Sequence, residues 1–164
     1  MAAGSESKTQ VERASDRELL IRRVFRVRAE TLFDAMTKPE HLRRWWAPKS
    51  LGIVVFSIEA DVRVGGRYRY AFGRPGEPEL AFSGVYKEVV RGARLVYTQV
   101  FEPMSAAGEG LITATFEPHE LGTLLTQREL YPSKQVLDGA IASGMERGMR
   151  ETLEQLDALL PELQ

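Results

Sequence analysis

Seven stretches of the chain alternate apolar and polar side chains with the period of a β-strand. The first, Glu18 to Val27, places Leu19, Ile21 and Phe25 on one face, with Arg23 as a charged exception on that face. The other six are separated by turns rich in glycine and proline. They span Ile53 to Val62, Arg67 to Phe72, Leu80 to Val90, Leu95 to Phe101, Leu111 to Pro118 and Thr123 to Leu130. Because short turns join consecutive runs, the sequence predicts one antiparallel sheet.

Two other regions repeat apolar residues at steps of three and four, which predicts helices. One of them follows the first strand, and Pro39 divides it into two short helices, over 30–37 and 39–46. The other is a stripe from Ser133 to Leu160, in which Ser133 caps and Pro161 ends one helix about 42 Å long. A curved sheet wrapped around this amphipathic helix covers every apolar face, so we expect an α+β domain.

Composition narrows the class of protein. The chain has 164 residues, 43% of them apolar, which is enough for one hydrophobic core without disulfides. There is no cysteine and there are two histidines, which argues against thiolate chemistry, iron–sulfur clusters and multi-histidine metal sites. The sequence predicts a flexible polar tail over residues 1–16 and a single domain over 17–164.

Charge and hydropathy argue against several kinds of partner. The net charge of −1 is unlike that of a nucleic-acid-binding protein. No apolar run reaches the roughly 18 residues of a membrane span, and the start of the chain lacks the apolar core of a signal peptide. We therefore expect a cytoplasmic protein that does not insert into membranes. The excess of arginine over lysine and the absence of asparagine indicate a GC-rich bacterial genome.

The chain lacks the usual motifs of hydrolases, kinases and dinucleotide-binding enzymes, and no spacing links serine, histidine and aspartate into a triad. A series of smaller motifs runs along it instead. In order they are FDA from Phe33, PEHLRRWW from Pro39, DVRVGGRYRY from Asp61, FSGVYKEV from Phe82, RLVYT from Arg94, TATFEP from Thr113 and SGMERG from Ser143. Their order and spacing resemble the SRPBCC (START-like, helix-grip) superfamily, and within it the C-terminal domain of the activator of the heat-shock-protein-90 ATPase.

The resemblance covers about Glu18 to Leu160. It implies a helix-grip fold, in which a seven-stranded antiparallel sheet wraps around a long C-terminal helix and two short helices follow the first strand. It also implies an internal, largely apolar cavity between the sheet and that helix. Met149 departs from the pattern, because many relatives carry a tryptophan after the second glycine of SGMERG.

Candidate ligand-binding residues are the aromatic residues of the strands, together with the residues of the helix that would close the cavity. They are Arg23, Trp45, Trp46, Tyr68, Tyr70, Phe72, Phe82, Tyr97, Phe101, Phe116, Gly144, Met145 and Met149. Aromatic residues at such positions also form ordinary cores, but a buried tyrosine hydroxyl needs a partner. Glycines on a helix allow either close packing or free space. Arg23 either pairs with Glu59 or Glu88 or meets an anionic ligand.

These residues favour a binding module for a small hydrophobic or aromatic molecule, with no cofactor and no metal. A cofactor-free cyclase, isomerase or hydrolase acting on a polyketide-like substrate is the alternative. Its candidate proton-transfer groups are Tyr68, Tyr70, Tyr97 and Glu88, with Arg23 available to hold negative charge. None of them is a strong general base, so no catalytic residue is predicted and the question of turnover stays open.

Protein partners are the least supported expectation. A chaperone partner ranks lowest, because a single domain of this size lacks the additional N-terminal domain expected of the eukaryotic activator. The sequence leaves the oligomeric state open, a homodimer included.

Overall fold

The computed structural model of the protein describes residues 9–164, whose strands form a single sheet with helices against one face. The strands are β1 (Gln10–Arg13), β2 (Glu18–Phe25), β3 (Val54–Ala60), β4 (Arg67–Gly73), β5 (Leu80–Val90), β6 (Arg94–Phe101), β7 (Gly110–His119) and β8 (Gly122–Leu130). The α-helices are α1 (Ala29–Ala35), α2 (Pro39–Trp45), α3 (Lys134–Ala142) and α4 (Met145–Leu159). Short 3-10 segments occupy Lys49–Leu51, Glu102–Ala107 and Leu160–Glu162. Met1 to Lys8, half of the predicted tail, lie outside the described residues.

Every neighbouring pair of strands is antiparallel, in the order β1-β2-β8-β7-β6-β5-β4-β3. The register aligns side chains in rows across the sheet. One row runs from Tyr86 through Tyr97, Ile112 and Glu129 to Leu19. Because paired residues point to the same side of a sheet, these five share one face, the inner face that meets the helices. The predicted antiparallel helix-grip architecture is confirmed, with eight strands where the sequence predicts seven.

The additional strand, β1, lies in the stretch predicted to be a flexible tail. Gln10–Arg13 pairs with β2 at the edge of the sheet, and Val11 is its only apolar residue. Backbone hydrogen bonds hold such an edge strand, so its side chains show no apolar alternation to detect. Arg13 also contacts Asp138 of α3 at 2.7 Å, and Thr9 is buried. The predicted tail is therefore corrected from Thr9 onwards.

Two short helices connect β2 to β3, as the sequence predicts. Pro39 occupies the first turn of α2, where its missing N–H leaves no bond unmade. Helix α1 buries Phe33, and α2 buries Trp45. The indole Nε1 of Trp45 donates to the carbonyl of Ala35 at 2.8 Å, which joins the two helices.

The C-terminal helix covers the predicted residues but is not continuous. Gly144 separates α3 from α4 with a φ of 84°, a left-handed conformation that glycine adopts at little cost. Ser133 caps α3 as predicted, because its Oγ accepts from the backbone N of Val136 at 3.2 Å. The prediction of one uninterrupted helix is corrected, since a single residue in the left-handed region ends the helical hydrogen-bond ladder.

Helix α4 is held against the inner face from both sides. On one side, Arg23 of β2 contacts Asp157 at 3.3 Å. On the other, Gln155 donates its Nε2 to the carbonyls of Trp45 and Ala47, both at 2.8 Å. These contacts fix α4 between β2 and the segment that follows α2.

Helix α4 buries its leucines in the hydrophobic core together with residues of β2 and β8. We call this region the aliphatic core; it consists of Leu19, Ile21, Leu125, Leu153, Leu156 and Leu159. All six side chains are buried, and each contributes about 1.5–3 kcal/mol to stability. Across residues 9–164, no helix combines the length and apolar character that a membrane crossing requires.

Candidate ligand-binding site

Eight aromatic rings form a connected cluster on the inner face. Strands β4, β5 and β6 supply seven of them, and Trp46 reaches in from the end of α2. The members of this aromatic cluster are Trp46, Tyr68, Tyr70, Phe72, Phe82, Tyr86, Tyr97 and Phe101. Each ring centroid lies within 6.0 Å of another in the set. The sequence places them together because alternate residues of neighbouring strands share a face.

Tyr68 lies in the middle of the aromatic cluster because its partner across the strands is a glycine. Gly84 pairs with Tyr68, and a Cβ at Gly84 would lie 2.8 Å from Cε1 of that ring and 1.9 Å from the carbonyl oxygen of Thr98. The missing side chain lets the ring cross β5 and donate its hydroxyl to the Thr98 carbonyl at 2.6 Å. Tyr68 thereby fixes the distance between the strands that carry the cluster.

Six of the eight rings remain partly exposed, although all of them belong to the inner face. Only Tyr68 and Tyr86 in this set are buried. Trp46 packs edge-on against Tyr70 and Phe72, with centroid distances of 5.2 and 5.1 Å. Rings held rigidly by each other and still accessible form the kind of surface that a small apolar molecule covers.

A carboxyl group lies in the same row of side chains as part of the aromatic cluster. Glu129 of β8 follows Tyr97 and Ile112 in that row and is only 8% exposed. Its Oε2 accepts from Nε2 of Gln127 at 2.7 Å, and its Oε1 accepts from the hydroxyl of Tyr131 at 3.1 Å. No lysine, arginine or histidine among residues 9–164 forms an ion pair with it. The site therefore combines apolar rings with one buried carboxyl.

Burial raises the pKa values of the titratable groups in the site. It raises the pKa of Glu129, against the opposing effect of the hydrogen bonds from Gln127 and Tyr131. Burial also raises the pKa of Tyr97, with Glu129 as the next cause, and it raises the pKa of Tyr86 to about 12. The tyrosines are therefore neutral hydrogen-bonding groups, whereas the pKa of Glu129 moves toward neutral pH.

The structure brings most of the predicted ligand-binding residues together. Those in the aromatic cluster are Trp46, Tyr68, Tyr70, Phe72, Phe82, Tyr97 and Phe101. Met145 and Met149 of α4 are half-buried against the hydrophobic core. Gly148, between them, faces Pro48, whose Cγ would lie 3.5 Å from a Cβ at that glycine.

Three predicted site residues lie elsewhere. Trp45 is buried between α1 and α2, and Phe116 packs on Phe33 with a centroid distance of 5.3 Å. Gly144 is exposed at the helix break, and no atom lies within 4 Å of the position of its missing Cβ. None of the three lies in the aromatic cluster: the first two are core residues, and the third provides a backbone conformation.

Arg23 also lies outside the aromatic cluster. It is 6% exposed, and besides Asp157 it contacts Thr9, whose Oγ1 accepts from Nη1 at 3.1 Å. The predicted partners, Glu59 and Glu88, are wrong. Asp157 of α4 pairs with Arg23 instead. The sequence could not predict this pair, because periodicity gives no information about which turn of a helix faces which strand.

A β-bulge explains why Glu88 is not part of the site. The register shifts between Tyr86 and Glu88, so that Val89 returns to the hydrophobic core and Glu88 pairs with Arg94 at 2.5 Å. Tyr86 and Glu129 are absent from the predicted ligand-binding residues. Strand alternation signals both, since Tyr86 is in phase with Phe82 and Glu129 is in phase with the buried Leu125.

The outer face of the sheet carries a shallow depression of about 430 Å³, lined by threonines and by Arg22, Arg94 and Arg128. Each of these arginines already pairs with a glutamate, and Glu117 and Leu124 complete the lining, so none of the three cations is left unpaired for a ligand. The inner face is the better candidate because its apolar rings and its carboxyl lack such partners. Three or more histidine, aspartate or glutamate side chains do not converge anywhere in residues 9–164, so that part holds no metal cage.

Comparison with known families gives one match over most of the chain. The model of the family described as "Activator of Hsp90 ATPase homolog 1-like protein" matches residues 26–161. Curated proteins give no match to the sequence.

Solved structures share the architecture closely. A crystal structure of a Rhodobacter sphaeroides protein is 26% identical, with a TM-score of 0.87 over 95% of this chain and 100% of the other. A crystal structure of a Chromobacterium violaceum protein is 28% identical, with a TM-score of 0.78 over 89% of this chain and 98% of the other. A Nitrosomonas europaea protein, 23% identical with a TM-score of 0.80 over 92% of this chain and 97% of the other, has the same fold.

Proposed function

This chain belongs to the family of activator of Hsp90 ATPase homolog 1-like proteins, and from that premise we propose that it binds a small hydrophobic or aromatic molecule on its inner face. The molecule lies against the accessible rings of the aromatic cluster, between β4–β6 and the first turns of α4. The helix-grip fold by itself implies no particular activity, so the residues of the site must support the function.

The observation that carries this proposal is the partial exposure of six aromatic rings on the face that should form the core. A core that only stabilised the fold would bury these rings, because each buried ring adds apolar contact area. The aliphatic core does so in the same molecule, with all six of its side chains buried. Accessible aromatic area next to a completed core is therefore apolar surface available to a ligand.

Displacement of a neutral, environment-sensitive dye such as Nile red tests the proposal. The wild-type protein is expected to bind the dye and to shift its emission to the blue. Met149→Trp adds bulk beside the hydrophobic core, in the first turns of α4. It is expected to weaken dye binding about ten-fold, because the added ring occupies the volume that the ligand needs.

Leu121→Trp is the matched control, since it adds the same ring at a 46% exposed position in the β7–β8 turn. This variant is expected to bind the dye as the wild type does. If Met149→Trp melts normally and keeps full dye affinity, the ligand does not lie between the aromatic cluster and α4.

Cofactor-free catalysis is the second candidate function, and Glu129 is the specific observation that favours it. A carboxyl whose pKa is raised by burial is suited to general acid–base catalysis near neutral pH. A screen of esters, lactones and polyketide-like ketones tests this function. Turnover above background that Glu129→Gln removes would place catalysis ahead of binding, whereas no turnover with either protein would leave binding alone.

A further inference from the structure

Glu129 has two hydrogen bonds and no counter-charge. Its carboxyl oxygens accept from Gln127 and Tyr131, which are neutral donors. The titratable groups that face it are Tyr97 and Tyr131, and both are neutral because their pKa values are raised. In the described part of the chain, every ion pair uses other acids. A buried carboxylate without a cation is costly, so burial shifts the equilibrium of Glu129 in the empty protein toward the protonated form.

The side chains in the same row as Glu129 include aromatic rings, which are the second component of a cation site. Tyr97 and Tyr86 continue the row from Glu129 toward β5, and the Tyr97 ring is partly exposed. The faces of aromatic rings carry negative potential and attract ammonium groups. The accessible ring of Tyr97 and a carboxyl in one row therefore favour a positively charged group over a neutral or a negative one.

We propose that the ligand of the inner face carries a protonated amine, which pairs with Glu129 while its apolar part covers the aromatic cluster. This inference rests on the proposed binding function and specifies its ligand class: a hydrophobic amine. Binding ionises Glu129, because the ammonium group stabilises the carboxylate, and the released proton leaves to solvent. An acid of similar shape is disfavoured, since its carboxylate would lose water beside the aromatic rings and Glu129 without a cation to pair with.

Three naphthalene compounds of similar size separate the charge of the ligand from its apolar part: naphthylethylamine, naphthylethanol and naphthylacetate. Titration calorimetry of the wild-type protein at neutral pH is expected to give about ten-fold tighter binding of the amine than of the alcohol. The acetate is expected to bind more weakly than the alcohol. Equal affinities for amine and alcohol, or tighter binding of the acetate, would overturn the inference.

Glu129→Gln removes the charge and keeps the volume of the side chain. It is expected to abolish the preference for the amine, so that the affinities for amine and alcohol agree within about two-fold. Glu117→Gln is the matched control, because Glu117 is exposed on the outer face and the change in net charge is the same. The control is expected to keep the wild-type preference. A preference for the amine that survives Glu129→Gln contradicts the assignment of this residue.

Proton release gives a readout from the wild-type protein alone, should the Glu129→Gln variant fail to fold. The heat of amine binding, measured in two buffers with different protonation enthalpies, is expected to differ and to report a released proton. The alcohol is expected to release none. Identical heats for the amine would overturn the inference. If none of the three compounds binds, the proposed function itself fails, whereas binding of the alcohol without preference for the amine contradicts the ligand class alone.

Discussion

The two halves of the inner face are built differently from the same alternating pattern. In the aliphatic core, leucine and isoleucine of β2 and β8 meet the leucines of α4, and every side chain is buried. In the aromatic cluster, larger rings from β4, β5 and β6 pack mainly on one another, and six of them stay partly exposed. Larger apolar residues are therefore less buried than smaller ones, which is the reverse of what stability alone would select.

The difference follows from what each half faces. Helix α4 presents Leu153, Leu156 and Leu159 to the aliphatic core, whereas its first turns carry Met145 and Met149, which are only half-buried. Methionine is flexible and fills irregular space loosely. Stability thus resides mainly at the leucine end of α4, and accessible apolar surface lies at the methionine end.

Shortening a side chain at each end of α4 tests this division most directly. Leu156 is 0% exposed, so Leu156→Ala leaves a cavity and is expected to lower the free energy of unfolding by about 2–5 kcal/mol. Met149→Ala is expected to cost less than half as much, because the side chain is only half-buried. Urea denaturation monitored by circular dichroism measures both values. Equal losses would contradict the division.

Gly84→Ala tests whether the aromatic cluster depends on one missing side chain. The added methyl would lie 1.9 Å from the Thr98 carbonyl oxygen and 2.8 Å from the Tyr68 ring, so β5 and β6 must separate. We expect a loss of about 1–3 kcal/mol in stability and a change in the tyrosine signal of the near-ultraviolet circular dichroism.

Gly139→Ala is the control for this substitution. Gly139 lies in α3, and no atom lies within 4 Å of the position of its missing Cβ. Alanine there is expected to raise stability by up to about 1 kcal/mol through helix propensity. If Gly84→Ala is as harmless as Gly139→Ala, Tyr68 is not held by close packing over the glycine.

Features that arise from side-chain alternation are predictable from the sequence, and features that arise from backbone geometry are not. The period of two assigns Tyr68, Tyr70 and Phe72 to one face of β4, and their rings do pack together or through Trp46. The edge strand β1 has no such alternation, because it carries one apolar residue and pairs with the sheet mainly through its backbone. The sequence pattern does not reveal the helix break at Gly144 either, since the apolar stripe from Ser133 to Leu160 continues through it.

The predicted site failed where it depended on contacts between distant elements. Glu88 is in phase with its strand until a bulge shifts the register. Arg23 finds Asp157 across the sheet–helix interface, which no local pattern encodes. Glu129, in contrast, is detectable, because its phase within β8 is that of Leu125. A charged residue in phase with a buried one is therefore worth testing as a site residue, whichever role it later proves to have.

The pH dependence of stability tests whether Glu129, the carboxyl beside the aromatic cluster, lacks a cationic partner in the folded protein. The pKa of Glu129 is raised in the folded protein, so its stabilising contribution is complete below the unfolded pKa of about 4.3 and is lost as the pH rises through the folded pKa. The free energy of unfolding of the wild type, minus that of Glu129→Gln, is therefore expected to fall as the pH rises above about 4.3. Urea denaturation at a series of pH values measures it. A difference that rises with pH would mean that Glu129 has a cationic partner in the folded protein.

Replacing either of two neighbouring tyrosines, Tyr68 or Tyr97, by phenylalanine is expected to have the smallest effects of these tests. It distinguishes a tyrosine that stabilises the core from one that binds the ligand. Tyr68→Phe removes the buried hydrogen bond to the Thr98 carbonyl and is expected to lower stability by about 0.5–1.5 kcal/mol. Tyr97 is partly exposed, and no hydrogen bond of its hydroxyl is found within residues 9–164. Tyr97→Phe is therefore expected to leave stability unchanged and to weaken binding of a naphthyl ketone a few-fold, since its hydroxyl is free to donate to the ketone oxygen. Thermal melts and dye displacement separate the two outcomes. If Tyr97→Phe destabilises the protein as much as Tyr68→Phe and leaves ketone binding unaltered, the aromatic cluster is core throughout and the two halves of the inner face do not differ in function.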